Sequence, residues 1–110
     1  MKQCELWYAD LNPVKGSEQA GMRPVVIVSG NLMNTYLNVV ICCPLTTKIK
    51  NYKGNVVLLP NETNKLTEAS EIMVFHIRSI SKDRLLRKIG TISSAEYKTL
   101  KQGLDDIMRY

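Results

Sequence analysis

Six consecutive residues, Pro24–Ser29 (PVVIVS), constrain this chain more than any other stretch. The run is β-branched and has no polar alternation, so it reads as a buried strand at the centre of a sheet. Other short runs closed by turn residues supply its neighbours. Glu5–Asp10 reads as a first strand, ended by Asn12 and Pro13. Asn38–Pro44 (NVVICCP) reads as a third, stopped by Pro44, which cannot donate to a ladder. Asn55–Leu59 and Glu71–Ile77 read as the fourth and fifth, Lys88–Ile92 as a short sixth, and residues 81–86 as room for one helical turn.

The last segment has a different period. Ser93 followed by Glu96 fits a capping box, and Tyr97, Leu100, Leu104, Ile107 and Met108 fall on one helical face. Gly103 weakens that helix by roughly 1 kcal/mol relative to alanine without breaking it. Strands first and one helix last predict a mainly β (α+β) domain, a small curled antiparallel sheet or barrel with a C-terminal helix, over residues 1–110. A chain of 110 residues, 45% hydrophobic, can bury such a core without disulfide or metal staples.

The formal charge of +5 suits an anionic partner, although an excess of this size serves solubility equally well. Cys4, Cys42 and Cys43 are odd in number, and adjacent strand residues face opposite ways, so Cys42 and Cys43 do not pair. Three reduced thiols acting as small hydrophobes in a cytosolic protein is the simpler reading. His76 is the single histidine and there is no Cys-x-x-Cys, so neither a zinc site nor another cofactor is expected. Glu5 and Asp10 interrupt the N-terminus, which has no signal-peptide core, and no apolar run is long enough to span a bilayer. The expectation is a cytoplasmic domain without a membrane partner.

Residues 16–24 (GSEQAGMRP) carry more chemistry than a turn needs. Pro24 biases Arg23 toward an extended backbone, so its guanidinium projects from the mouth of a buried strand as a fork of donors suited to phosphate. On charge and position alone, an arginine paired with Glu18 is the more economical reading. Residues 44–48 (PLTTK) place Thr46 and Thr47 at another strand end, beside Lys48, Lys50 and Lys53. That set could grip a nucleic-acid backbone, or simply cap a turn and solvate a loop. His76 and Arg78 close the fifth strand, where a lone histidine is more often structural. Trp7 and Tyr8 could stack on bases, but they read better as core.

The order of these pieces carries a resemblance. WYADLNP at residues 7–13, GSEQAGMRPVVIV at 16–28, PLTT at 44–47 and IRSI at 77–80 resemble the MazF/PemK family of toxin endoribonucleases, in register over most of the chain. The resemblance implies an SH3-like β-barrel with a terminal helix, a homodimer, and sequence-specific cleavage of single-stranded RNA. It also implies an antitoxin whose acidic, flexible tail occupies the RNA groove. Residue by residue, it implies that Arg23 acts on the scissile phosphate, that Thr46 is the strand-end hydroxyl, that Glu18 is a candidate proton acceptor, and that Arg78 is the late arginine. Ser17, Gln19, Thr47, Lys48, Lys50 and Lys53 are then candidate RNA contacts.

Two departures bear on mechanism. Cys4 and Glu5 replace the usual Gly-Asp before the first strand, and Phe75 and His76 stand where an acidic residue and a glutamine are usual. A base at that acidic position is therefore unavailable, which leaves Glu18 or His76 as the titrating base. Metal-free cleavage through the RNA's own 2′-hydroxyl would give 2′,3′-cyclic phosphate and 5′-hydroxyl ends. Two other functions stay open: a gyrase-poisoning toxin like CcdB, whose Trp-Gly-Ile ending this chain lacks, and a catalytically silent RNA- or protein-binding barrel.

Overall fold

A computed structural model describes residues 1–12 and 21–110. Among the described residues there are seven strands and two α-helices: β1 (Glu5–Asp10), β2 (Met22–Ile27), α1 (Asn31–Tyr36), β3 (Val39–Thr46), β4 (Val56–Leu58), β5 (Ser70–Ile72), β6 (Arg78–Ser81), β7 (Leu85–Thr91) and α2 (Ser94–Arg109). Short 3-10 turns at Val74–His76 and Lys82–Arg84 precede β6 and β7. All recorded pairings are antiparallel, and the strand order is β4-β5-β3-β2-β1-β7, with β6 also on β3.

Strand β3 organises the molecule. It pairs with β6 over residues 39–42, with β2 over 42–44 and with β5 over 45–46. Two register shifts between β1 and β7, after Leu6 and after Tyr8, add local twist and help the sheet to curl. The result is a curled antiparallel half-barrel carrying a C-terminal helix.

The curl buries both faces of its central strands. Leu6, Val26, Cys43, Leu45, Leu58, Ile72 and Leu100 form one apolar cluster. Ala9, Leu11, Val25, Ile27, Val40, Cys42, Ile80 and Leu85 form a second. Consecutive β2 residues thus alternate between two cores, which is why PVVIVS has no polar period. Cys42 and Cys43 likewise point into different cores, and all three cysteines are free thiols. Burial pushes both buried thiols up to about 12; the Arg78 charge opposes it weakly at Cys42, and neighbouring Cys42 adds to it at Cys43. Both therefore stay neutral and unreactive.

The capping box forms: Glu96 N–H donates to Ser93 Oγ (3.1 Å) and Ser93 N–H to Glu96 Oε1 (2.8 Å). Leu100 is fully buried, with Tyr97 and Leu104 packed beside it. Ile107 and Met108, expected on the same face, are 42% and 76% exposed in the helix's last turn. Gly103 has a positive reason to be glycine. A Cβ there would lie 2.3 Å from the carbonyl oxygen of Gly54, so only hydrogen lets the helix meet the loop that ends at residue 54.

Four local expectations change. Strand β3, expected to stop at Pro44, runs on to Thr46, because Leu45 and Thr46 pair with β5. The strand expected over Glu71–Ile77 stops at Ile72: Met73 N–H still donates in register to Pro44 O (2.8 Å), but Pro44 has no N–H to return, and Val74 N–H turns to Asn55 Oδ1 (3.0 Å). His76 therefore lies on a 3-10 turn rather than a strand. The strand expected at Lys88–Ile92 starts earlier, at Leu85, and β6 and α1 were not anticipated. The helical turn expected within residues 81–86 is present at Lys82–Arg84. Trp7 is half-buried against the second core, its indole N–H donating to Glu5 Oε1 (3.0 Å), as befits core rather than a base-stacking surface.

Candidate functional site

Arg23 is brought in by a clasp at the feet of the loop it terminates. Gly21 N–H donates to Asn12 Oδ1 and Leu11 N–H to Gly21 O, both at 3.0 Å. Gly21 sits at φ +79°, a backbone that glycine adopts without strain. Arg23 then pairs across from Ala9, and its Nη1 donates to the carbonyl of Leu45 (3.2 Å), the residue before Thr46. The hydroxyl oxygen of Thr46 accepts from Lys48 N–H (3.1 Å), a turn that fixes its rotamer and leaves its own hydrogen for another partner.

These residues share one cleft of about 620 Å³, lined by Arg23, Pro24, Leu45, Thr46, Thr47, Lys48, Lys50, Tyr52, Met73, Phe75 and His76, with Met22 at its edge. The fold thus gathers Arg23, Thr46, Thr47, Lys48, Lys50 and His76 from β2, β3, the following loop and the 3-10 turn. Lys53 and Arg78 do not line it. Arg78 sits half-buried on β6, across from Cys42. Ser17, Glu18 and Gln19 lie outside the described residues. Among the described residues, no three His, Cys, Asp or Glu side chains cluster to hold a metal ion.

Sequence reasoning missed Glu71, the residue that shapes the basic wall. It is fully buried, opposite Thr46 in the β3–β5 ladder. Its Oε1 accepts from the backbone N–H groups of Lys50 (2.7 Å) and Asn51 (3.1 Å), and its Oε2 from Tyr52 N–H (3.0 Å) and Asn55 Nδ2 (2.9 Å). Asn51 at φ +55° helps three successive N–H groups converge, forming a backbone nest around the carboxylate. Burial alone would raise the Glu71 pKa, but hydrogen bonds from Lys50, Asn55, Asn51 and Tyr52 outweigh it and hold the pKa below the usual carboxylate value. The signal available in sequence was one acid opening an apolar strand, EIMV, behind a basic, turn-forming KIKNYKG.

The aromatic wall is continuous. Tyr52 and Phe75 meet edge to face (centroids 5.6 Å apart, planes at 73°), and the Phe75 ring lies 4.8 Å from that of His76 at 43°. Chemically, the cleft offers a fixed guanidinium, an oriented hydroxyl, two ammonium groups on a pinned loop and an imidazole beside exposed rings. That set suits a polyanion with flat, unpaired groups.

Residues 2–108 match the sequence model of PemK-like, MazF-like toxins of type II toxin–antitoxin systems. A protein of Staphylococcus saprophyticus named Endoribonuclease MazF is 35% identical over 106 residues, covering 96% of this chain and 88% of its own length. The crystal structure of MazF from Deinococcus radiodurans superposes with a TM-score of 0.87 over 100% of this chain and 97% of that one, at 22% identity. A mycobacterial endoribonuclease in complex with its cognate antitoxin superposes with a TM-score of 0.80 over 98% of this chain and 94% of its own, at 21% identity. With family sequence, relative and half-barrel fold in agreement along almost the whole chain, this protein belongs to the PemK-like, MazF-like toxins of type II toxin–antitoxin systems.

Proposed function

We propose that the chain is a sequence-specific endoribonuclease that cuts single-stranded RNA, messenger RNA included, without a metal ion. The observation that carries this reading is the meeting of Arg23 and Thr46 at one cleft, with the guanidinium bonded to the carbonyl of Leu45. The name of the staphylococcal relative points the same way.

In this reaction a base takes the proton of the RNA 2′-hydroxyl, and the 2′-oxygen attacks the adjacent phosphorus in line. The bond from phosphorus to the 5′-oxygen breaks, and that oxygen leaves with a proton, giving a 2′,3′-cyclic phosphate and a 5′-hydroxyl. Arg23 supplies fixed positive charge where the phosphate becomes most crowded. With a pKa above about 12 it donates charge rather than a proton. Thr46 orients the 2′-hydroxyl or a phosphate oxygen through its hydroxyl. His76, in the same cleft, or Glu18, in the loop before Arg23, takes and returns the proton. Lys48, Lys50 and Thr47 hold flanking phosphates, with Ser17 and Gln19 contacting RNA from the loop; Lys53 and Arg78 act on the backbone from outside the cleft.

The working form is a cytoplasmic homodimer inhibited by an acidic-tailed antitoxin. A cognate antitoxin is what the mycobacterial neighbour binds, and large apolar side chains left exposed on α1, Leu32 and Tyr36, give a dimer surface to bury. The test is incubation of antitoxin-free protein with a long single-stranded RNA in EDTA. Discrete fragments with cyclic phosphate ends are expected. No cleavage, or cleavage that requires added magnesium, overturns the reading.

A further inference from the structure

We propose that the Tyr52–Phe75 pair, continued by His76, is a base-stacking subsite that seats one unpaired RNA base beside the phosphate held at Arg23 and Thr46. The inference rests on the nuclease reading for the identity of its ligand, but its evidence is separate. Phe75 is the chain's single phenylalanine, yet 49% of it is exposed, and Tyr52 is 47% exposed. Both line the cleft that holds Arg23, Thr46, Lys48 and Lys50. A half-exposed phenylalanine forgoes half of the roughly 1.5–3 kcal/mol of full burial, so two adjacent half-exposed rings in a basic cleft call for an occupant. Exposed aromatics interleaved with lysines form the usual platform for single-stranded nucleic acid, because every base has a π-face and every linkage a charge.

The platform is built before any ligand arrives. Tyr52 N–H is tied to Glu71 Oε2, and Glu71 Oε2 also accepts from Asn55 Nδ2. The same asparagine accepts from Val74 N–H at 3.0 Å, one residue before Phe75. His76 N–H donates to Met73 O (3.1 Å), closing the turn. Both rings therefore hang from one node, the buried Glu71 and the half-buried Asn55, and little ordering entropy is lost when a base binds. In an edge-to-face pair the ring that presents its edge keeps both faces open to a third aromatic. Stacking reads no hydrogen-bonding edge, so this subsite tolerates any base and favours purines, which overlap more ring area.

The test is binding rather than cleavage. RNA oligonucleotides with 2′-fluoro sugars lack the attacking hydroxyl, and a 2-aminopurine walked along them loses fluorescence where it stacks. The wild-type protein should quench the probe at one position. Phe75→Leu, which keeps apolar bulk but removes the π-face, should abolish that quenching and weaken binding about 5- to 150-fold. Tyr52→Leu should do likewise, and Phe75→Trp should restore both. Each variant's thermal melt identifies any that fail to fold, and Phe75→Trp then decides alone by deepening or losing the quench. Unchanged quenching and affinity in folded leucine variants overturn the subsite while leaving the nuclease reading intact. Position-specific quenching by a wild-type protein that never cuts RNA does the reverse.

Discussion

Arg23 owes its position to Pro24 on one side and to the Leu45 carbonyl on the other. Neither tie contributes much to folding: the hydrogen bond to Leu45 is worth about 1 kcal/mol. Loss of a preorganised charge at a transition state costs about 2.7–4 kcal/mol, a fall of roughly 10²–10³ in rate. Arg23→Ala should therefore melt close to the parent while single-turnover cleavage drops by that factor; an unchanged rate removes Arg23 from the chemistry. Thr46→Ala should also slow cleavage, and the double variant should lose less than the sum if both groups serve one transition state, as proposed. The strand-end positions of these two residues were legible from the proline after one and the hydroxyl pair at the other, while their proposed roles came from the family resemblance. Glu71 was not. Its partners are mostly backbone N–H groups about twenty residues away, and such donors leave no trace in side-chain identity.

The loop of residues 48–54 behaves as an element although it has no regular structure. Glu71 fills its nest, Asn55 ties it to the turn bearing Phe75, and Gly103 of α2 packs on Gly54 O. The same ties explain why EIMVFHI is not one strand. Its apolar run is continuous, but the asparagine that ends the ladder comes from another segment, so His76 moved from a strand to a cleft wall. The Glu71 pKa is depressed below its ordinary 4.5. Its carboxylate thus contributes stability that is fully present above pH 4.5 and is lost as pH falls through the lower native value. Glu71→Gln replaces one acceptor with an amide facing N–H donors and should lose about 2 kcal/mol at pH 7. Urea melts at pH 7, 5, 4 and 3 should show the gap between variant and parent closing only below pH 4.5. A gap that stays constant down to pH 3 would mean that Glu71 does not titrate with folding.

At the scale of the whole molecule, the curled sheet separates stability from recognition. Two cores occupy the two faces of β2 and β3, and the cleft opens where β2 begins, β3 ends and the chain turns after β5. The run of strands and the capped helix were readable because hydrophobic period and capping are local. The threefold pairing of β3 was not, because which short strand meets which half of a longer one is decided by the packing of both cores. An open basic cleft at the ends of the central strands, in a chain of net charge +5, suits an extended acidic segment as well as it suits RNA. Such a segment gives up ordering entropy on binding but covers much surface. If the antitoxin carries an acidic tail, as proposed, that tail should compete with uncleavable RNA for this cleft, and its affinity should fall as salt rises from 50 to 500 mM, a range in which the Debye length shrinks from about 14 Å to about 4 Å. Titrating the tail into protein preloaded with fluorescent 2′-fluoro RNA should displace the RNA completely. The apparent tail affinity should weaken in proportion to RNA occupancy, and Arg23→Ala should weaken both ligands together. If tail and RNA instead form a ternary complex with unchanged affinities, the antitoxin inhibits from another surface of the toxin, and the cleft belongs to RNA alone.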